Sequence, residues 1–410
     1  MNKNFSGKAG KELSLEIIPV TPIPDFLLGE IHSKLAYIDE EITGSQVERD
    51  RIILTFQSTS SQTYQDLSPE RKSEIEDKVQ TMVQSMAKGA VHPRSMILED
   101  FLDRPLHNNE DPTQFLFDHG ELSREATGIY SLGPLFSQLI DFFEERFVSI
   151  AGSFGARNYR FPTLISPHML ERVNYFSAFP HSLSFVSHLR QDLHVIDRFA
   201  QSAACDEHGL IAPSDSFAQV QALLSPAVCY HLYFLLSDKP LENGRLSATA
   251  VGNCFRYESI NHESLERLWN FTMREIIFVG SKDYILDNRE QARQKLAAFF
   301  EEIGLAYRVE SANDPFFIGE FRKQAAFQSA FQLKYEVRAA LPFKSATIAI
   351  GSYNYHQDFF GRNLGITLPD GKPAHTGCVA FGLERTVFSF LAQYGLDVNK
   401  WPASIQSYLQ

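Results

Sequence analysis

Cysteine is scarce in this chain, with four in 410 residues. So few exclude a disulfide scaffold, and Cys205, Cys229, Cys254 and Cys378 read as reduced thiols, buried as small hydrophobes or used as ligands. Long apolar runs are missing too. No stretch is apolar enough to cross a membrane, and "MNKNFSGKAGKELSLEIIPV" lacks the core of a signal peptide. A cytoplasmic protein with no membrane contact is the expectation. Positive charge is also short: the net charge is −12, and residues 1–120 carry 12 Lys/Arg against 20 Asp/Glu. Such a segment supplies no basic arm for RNA phosphates. Internal repeats and low-complexity tracts are absent.

What is present is globular. Apolar residues make up 44% and charged ones 21%, in a chain long enough for two or three domains. Strand-like runs at "ELSLEIIPV", "KLAYIDEEI" and "RIILTFQS" precede a helix that opens at Ser68-Pro69-Glu70, an N-cap followed by proline. Ile75, Val79, Met82, Val83 and Met86 form its apolar stripe. Residues 103–124 are polar, contain Pro105, Pro112 and Gly120, and read as a linker. The expected division is an N-terminal α/β unit with linker over 1–120 and a larger domain over 121–410.

In the larger domain, "SLGPLFSQLIDFFEERFVSIAG" is an amphipathic helix whose apolar face is too large to leave exposed. Strand candidates rich in β-branched and aromatic residues follow: "TAVGNCFRYES", "RLWNFTMREIIFVG", "QLKYEVRAAL" and "SATIAIGSYNY". Few helices intervene, which predicts a mostly antiparallel sheet and an α+β fold. Alternation puts Cys254, Arg256 and Glu258 on one strand face, and Arg267, Trp269, Phe271, Met273 and Glu275 on another. Such faces are either solvated or bind something charged. In "TGCVAFGLERT", Leu383, Val387 and Leu391 open a helix that Gly395 ends. Arg385 falls in its first turn, where the helix dipole disfavours a cation. It is either a surface arginine or the ligand of an anion such as phosphate.

"CFRYE", "SINHESLERLW" and "FTMRE" together resemble motif 2 of the class II aminoacyl-tRNA synthetases. "GCVAFGLERT" resembles their motif 3, and "DFFEERF…YRFPTLIS", with Pro162, their motif 1. The order is that of the family, over residues from about 125 to 400. The resemblance implies an antiparallel sheet flanked by helices, a homodimer built through motif 1, and adenylate chemistry with ATP and magnesium. Arg256 would hold the α-phosphate and the substrate carboxylate, and Glu258 would orient the nucleotide. Phe271 would stack on adenine, Arg267 would also touch ATP, and Arg385 would grip the γ-phosphate. An arginine fork suits these oxygens better than lysine. Class II enzymes commonly hold magnesium with an acid on the strand before motif 3. "SATIAIGS" has none, which leaves Glu336 one strand earlier.

No C-x-x-C pattern exists, so spacing alone allows only buried free cysteines and a salt-bridged glutamate. Cys229, Glu275 and Cys378, however, lie in segments similar to the atypical seryl-tRNA synthetases of methanogens and the related amino acid:[carrier protein] ligases. That resemblance implies a zinc held by these three, with a fourth position left for the substrate amine. Cys254 stays a rival ligand, and Cys205 reads as a loop residue. "IGSYNYHQDFFGR" also resembles the carrier-protein ligases, which would put Asn354 and His356 beside the substrate. The expected activity is ATP-dependent activation of a small amino acid and transfer to the phosphopantetheine thiol of a carrier protein, without tRNA. A seryl-type tRNA synthetase and an inactive regulatory paralogue are the alternatives.

Overall fold

In the smaller unit, Ile52, Leu54 and Phe56 alternate inward along one strand, and Ile31 and Leu35 are buried at helical spacing in the helix that precedes it. The computed structural model describes residues 13–56, 67–87, 96–206, 209–259, 262, 264–312 and 333–410. Parts of the N-terminal segment and of the "SINHESLERLW" loop lie outside the described residues. The chain divides into two compact units, Met1–Arg94 with Glu258–Glu263, and Ser95–Tyr257 with Ser264–Gln410. In the first, β1 (Leu13–Ile17), β2 (Ile42–Val47) and β3 (Ile52–Phe56) pair antiparallel in the order β1-β3-β2, accompanied by α1 (Leu28–Leu35) and α2 (Pro69–Ala87). "KLAYIDEEI" is not a strand throughout. Its first residues end α1, and β2 begins only at Ile42. The α2 start is capped as its sequence suggests, the Arg71 N–H donating to Ser68 Oγ at 3.2 Å. Ile75, Val79, Val83 and Met86 are buried, while Met82 is half-buried.

The larger unit is built on eight strands: β4 (Ile97–Asp100), β5 (Arg157–Tyr159), β6 (Leu246–Phe255), β7 (Asn270–Gly280), β8 (Tyr307–Ser311), β9 (Lys334–Leu341), β10 (Ala346–Gln357) and β11 (His375–Gly382). Their order is β4-β8-β9-β10-β11-β7-β6-β5, antiparallel except for β5, which runs parallel to β6. One face packs against α3 (Pro134–Gly152), α5 (Lys282–Glu302) and α7 (Leu383–Tyr394). The other carries α4 (Cys229–Leu235) and α6 (Phe359–Leu364). Gly395 ends α7 at φ 70°, a left-handed position that favours glycine.

Two expectations shift. The apolar face of α3 (Phe136, Leu139, Phe142, Phe143 and Phe147) is buried in this chain's own core, so its size is no argument for a second copy. Residues 103–124 are tied to the larger unit: Arg104 donates to the carbonyls of Phe300 and Leu305, and His107 and Asn108 N–H to that of Gln393. They also contain a short helix, Thr113–Asp118. The units therefore divide near residue 94 and not at 120.

Candidate active site and metal centre

Three elements that are distant in sequence meet at one point. Cys229 opens α4, Glu275 sits mid-way along β7, and Cys378 lies on β11. Register pairs Glu275 with Ala380 and Ile277 with Cys378, so acid and thiol share a face of adjacent strands. Their ligand atoms lie within 4.8 Å of one another, and all three residues are buried. Among the described residues, no other group of three metal-binding side chains comes together. Cys378's hydrogen bond, then burial, then Glu275's charge hold the Cys229 thiol well above its ordinary range. Burial likewise raises the Glu275 carboxyl. Its Oε1 accepts the Val228 N–H at 3.0 Å, whereas Oε2 is buried with no hydrogen-bond partner. Two soft sulfurs and a half-satisfied buried carboxylate, close enough for a shared tetrahedral ion, suit a dication such as zinc.

β10 supplies the next layer. Asn354, opposite Cys378 in register, donates from Nδ2 to Cys378 Sγ at 3.4 Å and to Ser352 Oγ at 2.9 Å. His356 Nδ1 lies 3.2 Å from Thr376 Oγ1 and 3.4 Å from the Tyr233 hydroxyl, and its Nε2 is 4.0 Å from Cys378 Sγ. Both predicted substrate residues thus face the thiol pair. Tyr233 and Thr376, fully buried beside them, carry no sequence signal beyond an apolar context.

The arginine site forms beyond the strand ends. β6 stops at Phe255 and β7 starts at Asn270, so strand alternation does not govern Arg256, Glu258, Arg267 or Trp269. It does hold for Phe271, Met273 and Glu275. The Arg256 guanidinium nonetheless lies over the Phe271 ring, 5.5 Å from its centroid, and Nε donates to the Pro226 carbonyl at 3.1 Å. Arg385 sits in the first turn of α7, as expected, and donates to the Ala349 carbonyl at 3.3 Å. Its neighbour Glu384, buried, accepts the Thr272 N–H on both oxygens at 2.8 and 2.9 Å, which ties α7 to β7.

Other expectations are placed differently. Arg267 lies in the turn before β7, its N–H donating to the Ser264 carbonyl at 3.2 Å. Glu258 opens the segment that groups with the smaller unit, its N–H donating to His262 Nε2 at 2.9 Å. Cys254 is buried among Val228, Ala250, Met273 and Ala380 and is not in the ligand group. Cys205 is exposed on a short hairpin strand. Glu336 is already partnered, at 3.3 Å from Lys334 and 3.0 Å from Arg338. Burial works against its charge, but these two cations outweigh it and hold the carboxyl below its ordinary range. No pattern in the sequence singles out Arg274, next to Glu275. It is only 2% exposed, points to the helix face and is clamped by both carboxylate oxygens of Glu144. Thr249 Oγ1 accepts from it at 3.2 Å.

Comparison with known proteins shows which family the chain resembles. Residues 218–394 match the tRNA synthetase class II core domain (G, H, P, S and T). Amino acid–[acyl-carrier-protein] ligase 1 of Bradyrhizobium diazoefficiens is 34% identical over 73% of this chain and 90% of that protein. The type-2 serine–tRNA ligase of Methanococcus aeolicus is 25% identical over 77% of this chain and 62% of its own length. The structure of M. kandleri SerRS with A. aeolicus tRNASec superposes with TM-score 0.70 at 20% identity, covering 97% of this chain and 77% of that one. The chain is thus a ligase of the class II aminoacyl-tRNA synthetase family, on the branch that includes the amino acid–[acyl-carrier-protein] ligases.

Proposed function

We propose that the protein activates a small amino acid with ATP and passes it to the phosphopantetheine thiol of a carrier protein. The observation that carries this reading is the meeting of Cys229, Glu275 and Cys378 on the sheet face that also carries Phe271, over whose ring Arg256 lies. A zinc held by the three side chains would bind the neutral α-amine of the substrate in its fourth position. Arg256 holds the substrate carboxylate against the α-phosphate, Phe271 stacks on adenine, and Arg385 grips the γ-phosphate of ATP bound with magnesium. Glu258 and Arg267 complete the nucleotide contacts, and Asn354 and His356 line the amino acid side. A carboxylate oxygen attacks the α-phosphorus and pyrophosphate leaves. The carrier thiol then attacks the acyl carbon and AMP leaves. A thiol of ordinary pKa near 8.5 reacts with an acyl adenylate without a dedicated base.

The ligases of B. diazoefficiens, by name and by coverage, support a carrier-protein acceptor. The acidic balance of residues 1–120 argues against tRNA. Among the described residues no helix is long and apolar enough to cross a membrane, and reduced thiols fit the cytoplasm. The homodimer rests on the motif 1 resemblance, and sedimentation at micromolar concentration showing only a 46.5 kDa monomer would remove it. The deciding experiment is amino acid-dependent pyrophosphate exchange followed by transfer of labelled amino acid. Label on a pantetheinylated carrier and not on bulk tRNA is expected. Label on tRNA favours the seryl-type synthetase, and no exchange favours an inactive paralogue.

A further inference from the structure

The segment 225–228 is buried and irregular, and it joins Arg256, Glu275 and Cys229. The Ser225 N–H donates to the Thr163 carbonyl and the Ser225 carbonyl accepts the Phe255 N–H, both at 2.9 Å. The Pro226 carbonyl accepts Arg256 Nε at 3.1 Å, and the Val228 N–H donates to Glu275 Oε1 at 3.0 Å. The next residue is Cys229. Four residues therefore hold the phosphate arginine, one metal-binding carboxylate and one metal-binding thiol in a fixed relation.

One side-chain pair holds the segment itself in shape. Ser225 Oγ lies 2.9 Å from the Ala227 carbonyl and 3.0 Å from His231 Nε2. A carbonyl cannot donate, so the single hydroxyl proton goes to Ala227, and His231 must donate from Nε2 to Ser225 Oγ. The imidazole is fixed from its other side. It stacks on Phe161 (5.5 Å between centroids, 17° between planes), and Phe161 stacks on Tyr159 of β5 (5.7 Å, 9°). A rigid ring thus presents one N–H to the one hydroxyl that closes the 225–227 turn.

We infer that Ser225 and His231 are positioning residues that set the separation between Arg256 and the Cys229–Glu275–Cys378 group, and so the span between the carboxylate and the amine of a bound amino acid. This inference rests on the function proposed above for its kinetic consequence, but not for its structural one. Neither side chain touches the reacting atoms. Both act through the backbone of 225–228.

The test compares Ser225→Ala, His231→Phe and His231→Gln. Phenylalanine keeps the ring stack and removes the donor, whereas glutamine gives up the ring and keeps an N–H within reach. In pyrophosphate exchange, Ser225→Ala and His231→Phe should raise the amino acid KM by about tenfold or more, since small misplacements of reacting groups are costly. His231→Gln should return most of that loss, with zinc content and melting temperature as in the wild type. Independently of activity, deuterium uptake over residues 225–229 should rise in His231→Phe and fall back in His231→Gln. The inference is overturned if His231→Phe matches the wild type in both readouts, or if His231→Gln is as impaired as His231→Phe. A wild type without exchange would remove the proposed function only, because the deuterium comparison still decides this point.

Discussion

On the helix side of the large sheet, aromatic rings meet one another directly. Phe147 stacks on Phe381 with centroids 4.0 Å apart, and Phe143 meets Phe299 and Phe390 edge-on at 6.1 and 6.0 Å. The one ion of β7 on that side, Arg274, is matched by Glu144, Thr249 and, at 3.4 Å, Asn158. On the opposite side, one residue further along the same strand, Glu275 is as deeply buried at 1% exposure, yet one of its oxygens has no hydrogen-bond partner. Burial is the same on both sides, and satisfaction is not. A buried charge with complete partners is structural, while one left incomplete among thiols points to something that binds there.

The comparison can be broken most severely at the thiols. Cys229→Ser or Cys378→Ser should abolish zinc binding and amino acid activation, read by elemental analysis and exchange, while Cys254→Ser keeps the metal. Loss of metal from Cys254→Ser with retention in Cys229→Ser would overturn the ligand set. On the helix side, Arg274→Ala leaves Glu144 without its partner and should cost about 3–5 kcal/mol of stability in urea unfolding. Phe147→Ala should cost a similar amount, about 3–5 kcal/mol, through the cavity it opens. Folded protein of either variant should still hold zinc, which separates stability from site. Arg256→Ala and Arg385→Ala should do the reverse, lowering exchange by about 3 kcal/mol of transition-state stabilisation with an unchanged melting temperature. The smallest effect belongs to the surface. Arg362, 67% exposed by side chain, pairs with Asp358 at 2.7 Å, and Arg362→Ala should change stability by less than about 1 kcal/mol.

Local chemistry in the sequence accounts for the start of α2 at Pro69, the end of α7 at Gly395 and the placement of Arg385 in a first helical turn. Side-chain period also places Phe271, Met273 and Glu275 on one face. It does not extend to Arg256 and Glu258, because where β6 stops depends on pairing with β7 and not on its own pattern. The apolar stripe of α3 shows that the helix is buried, but not by what. "KLAYIDEEI" contains enough β-branched and aromatic residues to pass for a strand, yet Ile31 and Leu35 extend a helical period into it. The convergence of Cys229, Glu275 and Cys378 joins residues far apart in sequence, so only the likeness to a family could suggest it. The Ser225–His231 pair left no trace in composition or spacing, since a buried turn is defined by its backbone partners.

The adjacency of Arg274 and Glu275 also works as a reading-frame lock. β7 is a central strand, bonded to β6 on one side and β11 on the other. A slip of one residue would turn the guanidinium into the thiol pair and the carboxylate into the phenylalanine layer, with every other side chain inverted as well. No such misregistered sheet could be repaired by side-chain movement alone. Single-residue insertions or deletions along Asn270–Gly280 should therefore be tolerated far less than substitutions at most of the same positions, because they exchange the sheet's two environments at once.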